Sequence, residues 1–125
     1  MLFRSNYSLI SSDNTVEPNQ YFYITVMGED IQKRSQLKSS INYDSEKLKL
    51  IRVSADHWLL SKKEFQITSE KDTVSFSNIR FDKPKPYTSI YKLHFKAVKT
   101  GDARITLTAN DIDKYLTIPI QNTNQ

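Results

Sequence analysis

From Thr88 to Val98 the chain alternates in period two, with Tyr91, Leu93, Phe95 and Ala97 on one side and Lys92, His94 and Lys96 on the other. Side chains of a β-strand point to opposite faces in turn, so this run predicts a long strand with one buried and one wetted face. The same alternation recurs in short pieces along the chain. Phe22, Ile24 and Val26 alternate with Tyr23 and Thr25, and Leu37, Ser39, Ile41 and Tyr43 continue one face of another strand. Further candidates are Phe65 with Ile67, Val74 with Phe76, Ile105 through Leu107 to Ala109, and Leu116 through Ile118 to Ile120. Leu48 and Leu50 are followed by Ile51 and Val53, a slip of phase that predicts a bulge or burial on both sides. Helical periodicity is poor throughout. In Ser54–Lys63 the apolar Trp58, Leu59 and Leu60 are adjacent rather than three or four apart, which reads as a loop or a single turn.

Turn chemistry separates these runs. Ser69-Glu70-Lys71-Asp72 reads as a hairpin turn, and Asn110-Asp111-Ile112-Asp113 is a turn cluster. Thr100-Gly101-Asp102 reverses the chain, with Gly101 able to supply a positive φ. Pro18 precedes a strand, Pro84 and Pro86 sit in a connection, and Pro119 marks the last strand as an edge or as bulged there. About nine short strands at this spacing predict an antiparallel β-sandwich.

With 125 residues the chain makes one domain, 1–125, long enough to bury a core without a staple, and it has no cysteine. That excludes a disulfide framework and thiolate zinc sites. The net charge of +4 comes from Lys and Arg interleaved with Asp and Glu. The tightest clusters, Lys62-Lys63 and Lys83-Pro84-Lys85, fall short of a polyanion-binding run, so nucleic acid is disfavoured. No stretch is long and apolar enough to span a membrane, and Met1–Asn6 lacks the apolar core of a signal peptide. The start thus reads as that of an intracellular protein or of a piece cut from a longer one. The polar 121–125 segment has nothing to bury and is expected to fray.

Three segments carry a family resemblance. Val16-Glu17-Pro18-Asn19-Gln20 before Tyr21–Val26 resembles the entry turn of cohesin-type domains. Ile41-Asn42-Tyr43-Asp44 followed by Leu48-Lys49-Leu50 is similar to their hydrophobic-x-Tyr-Asp-x-x-x-Leu signature. Leu93–Ala97 with Gly101 and Ile105-Thr106-Leu107 resembles their late strand pair. The likeness spans about Val16 to Ile120, and it departs at Asn19, where the family commonly has Gly. It implies a nine-stranded sandwich of jelly-roll, cohesin-like topology, shared with several carbohydrate-binding modules. It also implies a non-catalytic, extracellular or cell-surface module of a larger bacterial protein, with another protein as partner and no cofactor. No dockerin-contacting residue carries over.

Read one by one, the candidate sites favour binding over chemistry. Tyr43 and Asp44 read as structural, the ring buried at a strand end and the carboxylate closing the next turn. His57 and His94 lack the three-ligand pattern of a metal catalyst, and the chain has no Gly-x-Ser-x-Gly elbow, so no catalytic residue is assigned. Asp111 and Asp113 form a calcium candidate, with Asp102 as a helper, against the ordinary reading of an Asn/Asp turn. Exposed aromatics that could stack on sugar rings are Tyr21, Tyr23, Trp58, Tyr87 and Tyr91. The partner-binding candidates are Tyr23, Trp58, Tyr91, Lys92, His94 and Lys96, the last three forming a cationic strand face for an acidic partner. The expected function is a protein-binding or scaffold module. The alternatives are a carbohydrate-binding module and a structural subunit of a virion or secretion assembly.

Overall fold

The computed structural model describes residues 6–32, 36–55, 66–81 and 85–122. Among them are nine strands: β1 Asn6–Ser11, β2 Tyr21–Glu29, β3 Gln36–Tyr43, β4 Leu48–Ala55, β5 Gln66–Ser69, β6 Thr73–Arg80, β7 Tyr87–Ala97, β8 Gly101–Ala109 and β9 Ile112–Ile120. The segments located by alternation correspond to eight of these. β1 was not among them, because Tyr7 and Leu9 give its inner face too few apolar positions to stand out.

Every paired strand is antiparallel. One sheet has the order β1-β2-β7-β4 and the other β5-β6-β3-β8-β9. The chain passes between sheets at β2–β3, β3–β4, β4–β5, β6–β7 and β7–β8, and stays within one sheet only at the hairpins β1–β2, β5–β6 and β8–β9. This is the antiparallel all-β sandwich that the spacing of strands and turns predicts. Pro119 lies on β9, an edge strand whose end is extended by a parallel bridge between Val16 and Ile120.

The core is the layer between the sheets, lined from one side by Phe22, Ile24, Leu93 and Phe95 and from the other by Leu37, Ile41, Phe76 and Ile105. Aromatic rings interlock across it. Tyr43 meets Phe95 edge-on with centroids 5.2 Å apart, and Phe76 stacks on Tyr91 at 3.9 Å. Such pairs add to the burial of area itself.

Two bulges in the β1-β2-β7-β4 sheet set which of its residues face out. In β4 the pairing with β7 shifts between Leu50 and Arg52, so Ile51 is the extra residue and lies exposed. This is the phase slip seen in the sequence. In the β2–β7 pairing the shift falls at Val26/Met27, opposite Ile90, so Ile90 and Tyr91 are both buried although adjacent.

The turns follow their residue chemistry. Glu17-Pro18-Asn19-Gln20 closes with Gln20 N–H donating to Glu17 O at 3.1 Å, and Asn19 takes φ 72°. Proline followed by a positive-φ residue is the pattern of a type II turn, and Asn is the side chain that best replaces Gly there. Gly101 has φ 129°, as the turn before β8 requires. Asn110 and Asp111 have φ 47° and 70°, the type I′ geometry that matches the twist of the β8–β9 hairpin.

Candidate functional site

The residues with most to offer a partner lie on the outer face of the β1-β2-β7-β4 sheet. Antiparallel register builds this face in rows. Tyr21 lies opposite Lys96, which lies opposite Lys49; Tyr23, His94 and Arg52 form the next row; Thr25, Lys92 and Ser54 the third. Rows are about 6.6 Å apart along the strands and neighbours within a row about 4.8 Å apart. Lys92, His94 and Lys96 share one face, as the alternation of β7 predicts, and each is half-buried. Lys49 and Arg52 on β4 are exposed and double the cationic column. Alternation alone missed Arg52 as a member, because the bulge at Ile51 moves it onto the row of His94.

Among the described residues, the three rows themselves carry no carboxylate. β1, β4 and β7 contain neither Asp nor Glu, and in β2 only the last residue, Glu29, is acidic. None of Lys49, Arg52, Lys92 and Lys96 is ion-paired among the described residues. Two lysines are instead held against tyrosine rings: Lys92 Nζ is 5.4 Å from the Tyr23 centroid and Lys96 Nζ is 5.6 Å from that of Tyr21. Cation–π attraction at an exposed site is worth about 0.5–1 kcal/mol, enough to bias where a flexible ammonium rests. His94 packs its ring 5.7 Å from Tyr23, and its Nε2 is 3.0 Å from Ser54 Oγ. Burial, followed by the positive charges of Arg52 and Lys92, lowers the His94 pKa below the ordinary histidine value. Tyr21, Tyr23, Ile51, Arg52 and His94 line a shallow groove of ≈ 220 Å³, with Phe22 and Phe95 beneath. Two apolar side chains are exposed nearby, Ile10 on the edge strand β1 opposite Thr25 and Ile51 next to Arg52 on β4.

Other candidates sit elsewhere. Tyr91 does not belong to this surface: it is 1% exposed, stacks on Phe76, and its hydroxyl is 2.9 Å from Ser39 Oγ. It lies on the inward phase of β7, which rules it out as a partner contact, and burial raises its pKa above the ordinary tyrosine range. Trp58 and His57 lie outside the described residues. Tyr87 is exposed at the start of β7, opposite Glu29 and away from the cationic rows.

Tyr43 and Asp44 take the structural roles expected of them. The Tyr43 hydroxyl donates to Lys71 O at 3.2 Å, and burial, with the charge of Asp72, raises its pKa. Asp44 accepts from Glu46 N–H at 3.1 Å and from Lys47 Nζ at 2.7 Å, the latter also an ion pair. The Lys47 hydrogen bond leads in lowering the Asp44 pKa.

The Asn110–Asp113 cluster is accounted for by the hairpin. Asn110 Oδ1 accepts from Lys38 N–H at 3.0 Å and Asp113 Oδ1 accepts from Thr108 Oγ1 at 2.7 Å, which commits two of the oxygens a cation would need. Asp102 opposes Pro119, at the other end of β8 and about 20 Å along the strand, so it cannot help Asp111 and Asp113. Among the described residues no three His, Cys, Asp or Glu side chains come together.

The outer face of the other sheet is chemically different. Ser40 and Asn42 of β3 lie opposite Thr108 and Thr106 of β8, a row of hydroxyls and amides, and Arg104 rests 4.0 Å over the Tyr115 ring nearby. The sandwich therefore presents one face with a column of cations and one on which hydroxyls and amides are mixed with charges of both signs, Lys38 and Arg104 with Asp102 and Asp113.

Layers, strand order and turn geometry define a cohesin-like β-sandwich, and solved structures agree. A cohesin from Clostridium acetobutylicum superposes with TM-score 0.66 and 19% identity over 95% of this chain and 94% of its own. A type II cohesin domain from the cellulosome of Acetivibrio cellulolyticus gives TM-score 0.70 and 14% identity over 82% of this chain and 74% of its own. The sixth cohesin of that organism's scaffoldin B, solved in complex with a Cel5 dockerin, gives TM-score 0.66 and 15% identity over 94% of this chain and 99% of its own. No family model matches the chain, and no curated protein is a significant match.

Proposed function

We propose that this protein is a non-catalytic docking module that binds another protein, with dockerin-type modules as the first class of partner to test. The observation that carries this reading is the superposition over nearly the whole chain on cohesin domains, one of them solved with a dockerin in place. A sandwich with two broad, flat outer faces suits docking, since it offers rigid strands rather than a cavity. On this reading the chain serves as one module of a larger secreted or surface-attached assembly.

The carbohydrate-binding alternative is less well supported on this surface. Sugar rings stack on open aromatic faces, whereas one face of Tyr21 and one of Tyr23 is already covered by a lysine ammonium.

Isothermal titration of the purified chain against a panel of dockerin modules tests the proposal. We expect at least one to bind with a micromolar or lower Kd at 1:1 stoichiometry. Absence of heat across the panel, with binding to a glycan array instead, would overturn it.

A further inference from the structure

We propose that β1 is an open strand edge through which two copies of this chain pair, antiparallel and about a two-fold axis at Leu9. Such pairing uses an edge and neither outer face, so it does not depend on the docking reading. A sheet edge carries a row of N–H and C=O groups able to take another strand, and proteins guard such edges with short strands, charges, prolines or bulges. Three of the four edges here are guarded. β5 has only four residues. β4 is bulged at Ile51 and carries Lys49 and Arg52. β9 has Pro119 near its end, and its Lys114 puts an exposed charge on the same phase as the buried Ile118 and Ile120. β1 has no such guard. Asn6–Ser11 contains no charged residue and no proline, and its register with β2 runs unbroken from end to end. Among the described residues no strand lies on its other side.

The register also fixes which groups the open edge presents. Ser12 N–H donates to Tyr23 O at 2.9 Å, so the pairs that exchange hydrogen bonds with β2 alternate from there, Ile10 with Thr25 and Ser8 with Met27. Leu9 and Ser11 therefore turn their N–H and C=O away from β2. Two antiparallel copies of β1 meet through these groups with Leu9 opposite Leu9 on the axis. Ser8 of each copy then faces Ile10 of the other on the outer side. Each side chain keeps its own face in this register. Leu9, half-buried in one copy, gains cover from its twin, and Ile10, 45% exposed, packs beside a small neutral side chain.

A second copy is the occupant because the strand complements itself. About the Leu9 axis neutral groups meet neutral groups, and β1 offers no counterion to a charged foreign strand. The net charge of +4 per chain does not oppose the contact. The lysine column of β7 lies two strands from β1, so about five strand spacings, roughly 24 Å, separate the two columns in the pair. That is about three screening lengths at physiological salt. The product is one continuous sheet, β4-β7-β2-β1 joined to β1-β2-β7-β4, which leaves the outer faces of both copies open. A single short strand pair places this contact in the weak, concentration-dependent class.

Sedimentation equilibrium of the whole chain from about 10 µM to 1 mM reads the association, and we expect a monomer–dimer equilibrium with its Kd inside that range. Ser8→Lys/Ile10→Lys sets like charges opposite each other across the axis and should weaken pairing by about tenfold or more. Ser8→Glu/Ile10→Lys sets opposite charges there and should restore it. Thermal melts establish that both variants fold. Because the chain has no cysteine, Leu9→Cys gives each copy a single thiol. Paired Cα atoms on the axis are about 5.5 Å apart, within disulfide reach, so mild oxidation should give a covalent dimer. Tyr115→Cys, exposed on β9, should give little. A chain that stays monomeric at about 1 mM, a dimer that the lysine pair leaves unchanged, or equal cross-linking by the two cysteines would overturn the proposal.

Discussion

The Tyr91 hydroxyl lies 2.9 Å from Ser39 Oγ inside the sandwich, joining β7 of one sheet to β3 of the other. Both residues are buried, so neither oxygen can turn to water if the other is removed. Leaving a buried polar group without its partner costs about 1–3 kcal/mol, more than the hydrogen bond contributes on balance. Tyr91→Phe and Ser39→Ala are therefore each expected to lower unfolding free energy by about 1–2 kcal/mol, and the double variant by less than their sum. Urea denaturation of the four proteins measures this; strict additivity would show that the two oxygens do not act as a pair.

Asp44 supplies the second prediction. Its hydrogen bonds to Lys47 Nζ and Glu46 N–H favour the carboxylate, so its folded pKa lies below the unfolded one. A depressed acid pKa gives stability that is complete above the unfolded value, about 3.9, and fades as pH falls through the folded value. Asp44→Ala is expected to cost about 1 kcal/mol at pH 7 and progressively less below about pH 4. Asp44→Asn keeps the acceptor for Glu46 and should cost about half as much. A wild-type-to-Ala difference that stays constant from pH 7 to pH 2.5 would refute the assignment.

At Asn19 the backbone is left-handed, with φ 72°, while its N–H donates to Ala97 O at 2.6 Å. Asn19→Gly should be neutral or slightly stabilising, whereas Asn19→Ala should cost about 1 kcal/mol, because Cβ disfavours this conformation. Thermal melts of the two variants decide it. Equal melting temperatures would mean that the turn relaxes to another conformation.

Gly28 has a steric reason to be glycine. A Cβ there would clash with Ile31 Cδ1 and fall 3.2 Å from Ile90 Cδ1. Gly28→Ala should cost about 1–3 kcal/mol by overpacking, and adding Ile31→Val, which removes the clashing methyl, should restore part of it. Failure of the second change to help would place the strain in the backbone of β2 instead.

His94 makes stability fall on acidification. Its folded pKa lies below the unfolded value of about 6.5, so the unfolded chain binds the proton first as pH drops. The contribution is complete above pH 6.5 and is lost as pH falls through the folded pKa. Denaturation at pH 7.5 and 5.5 should show a smaller decrease for His94→Gln than for wild type. An equal or larger decrease in the variant would contradict the burial and charge assigned to this imidazole.

Much of the architecture could be read from the chain because strand signals are local. Period two fixed the inner face of β7 at Leu93, Phe95 and Ala97, and the phase slip at Leu50–Val53 announced the bulge that exposes Ile51. The Asn110-Asp111 pair announced the hairpin through its tolerance of positive φ. Alternation assigns Tyr91 to the buried phase too, and counting it among the surface aromatics set composition above periodicity. Ile90, which belongs to the outward phase, is inside because the β2–β7 pairing slips by one residue, and such slips are set by the neighbouring strand.

The chain by itself determined the fold class, the turn positions and the side of β7 that carries Lys92, His94 and Lys96, since each depends on residues a few positions apart. The tertiary structure decided what those three residues are part of. Tyr21, Tyr23, Lys49 and Arg52 join them only because β2 and β4 flank β7 in one sheet, and that order depends on burying two apolar faces against each other. A surface assembled from strands that are not consecutive in the chain is a property of pairing and packing, which period-two patterning constrains but does not choose.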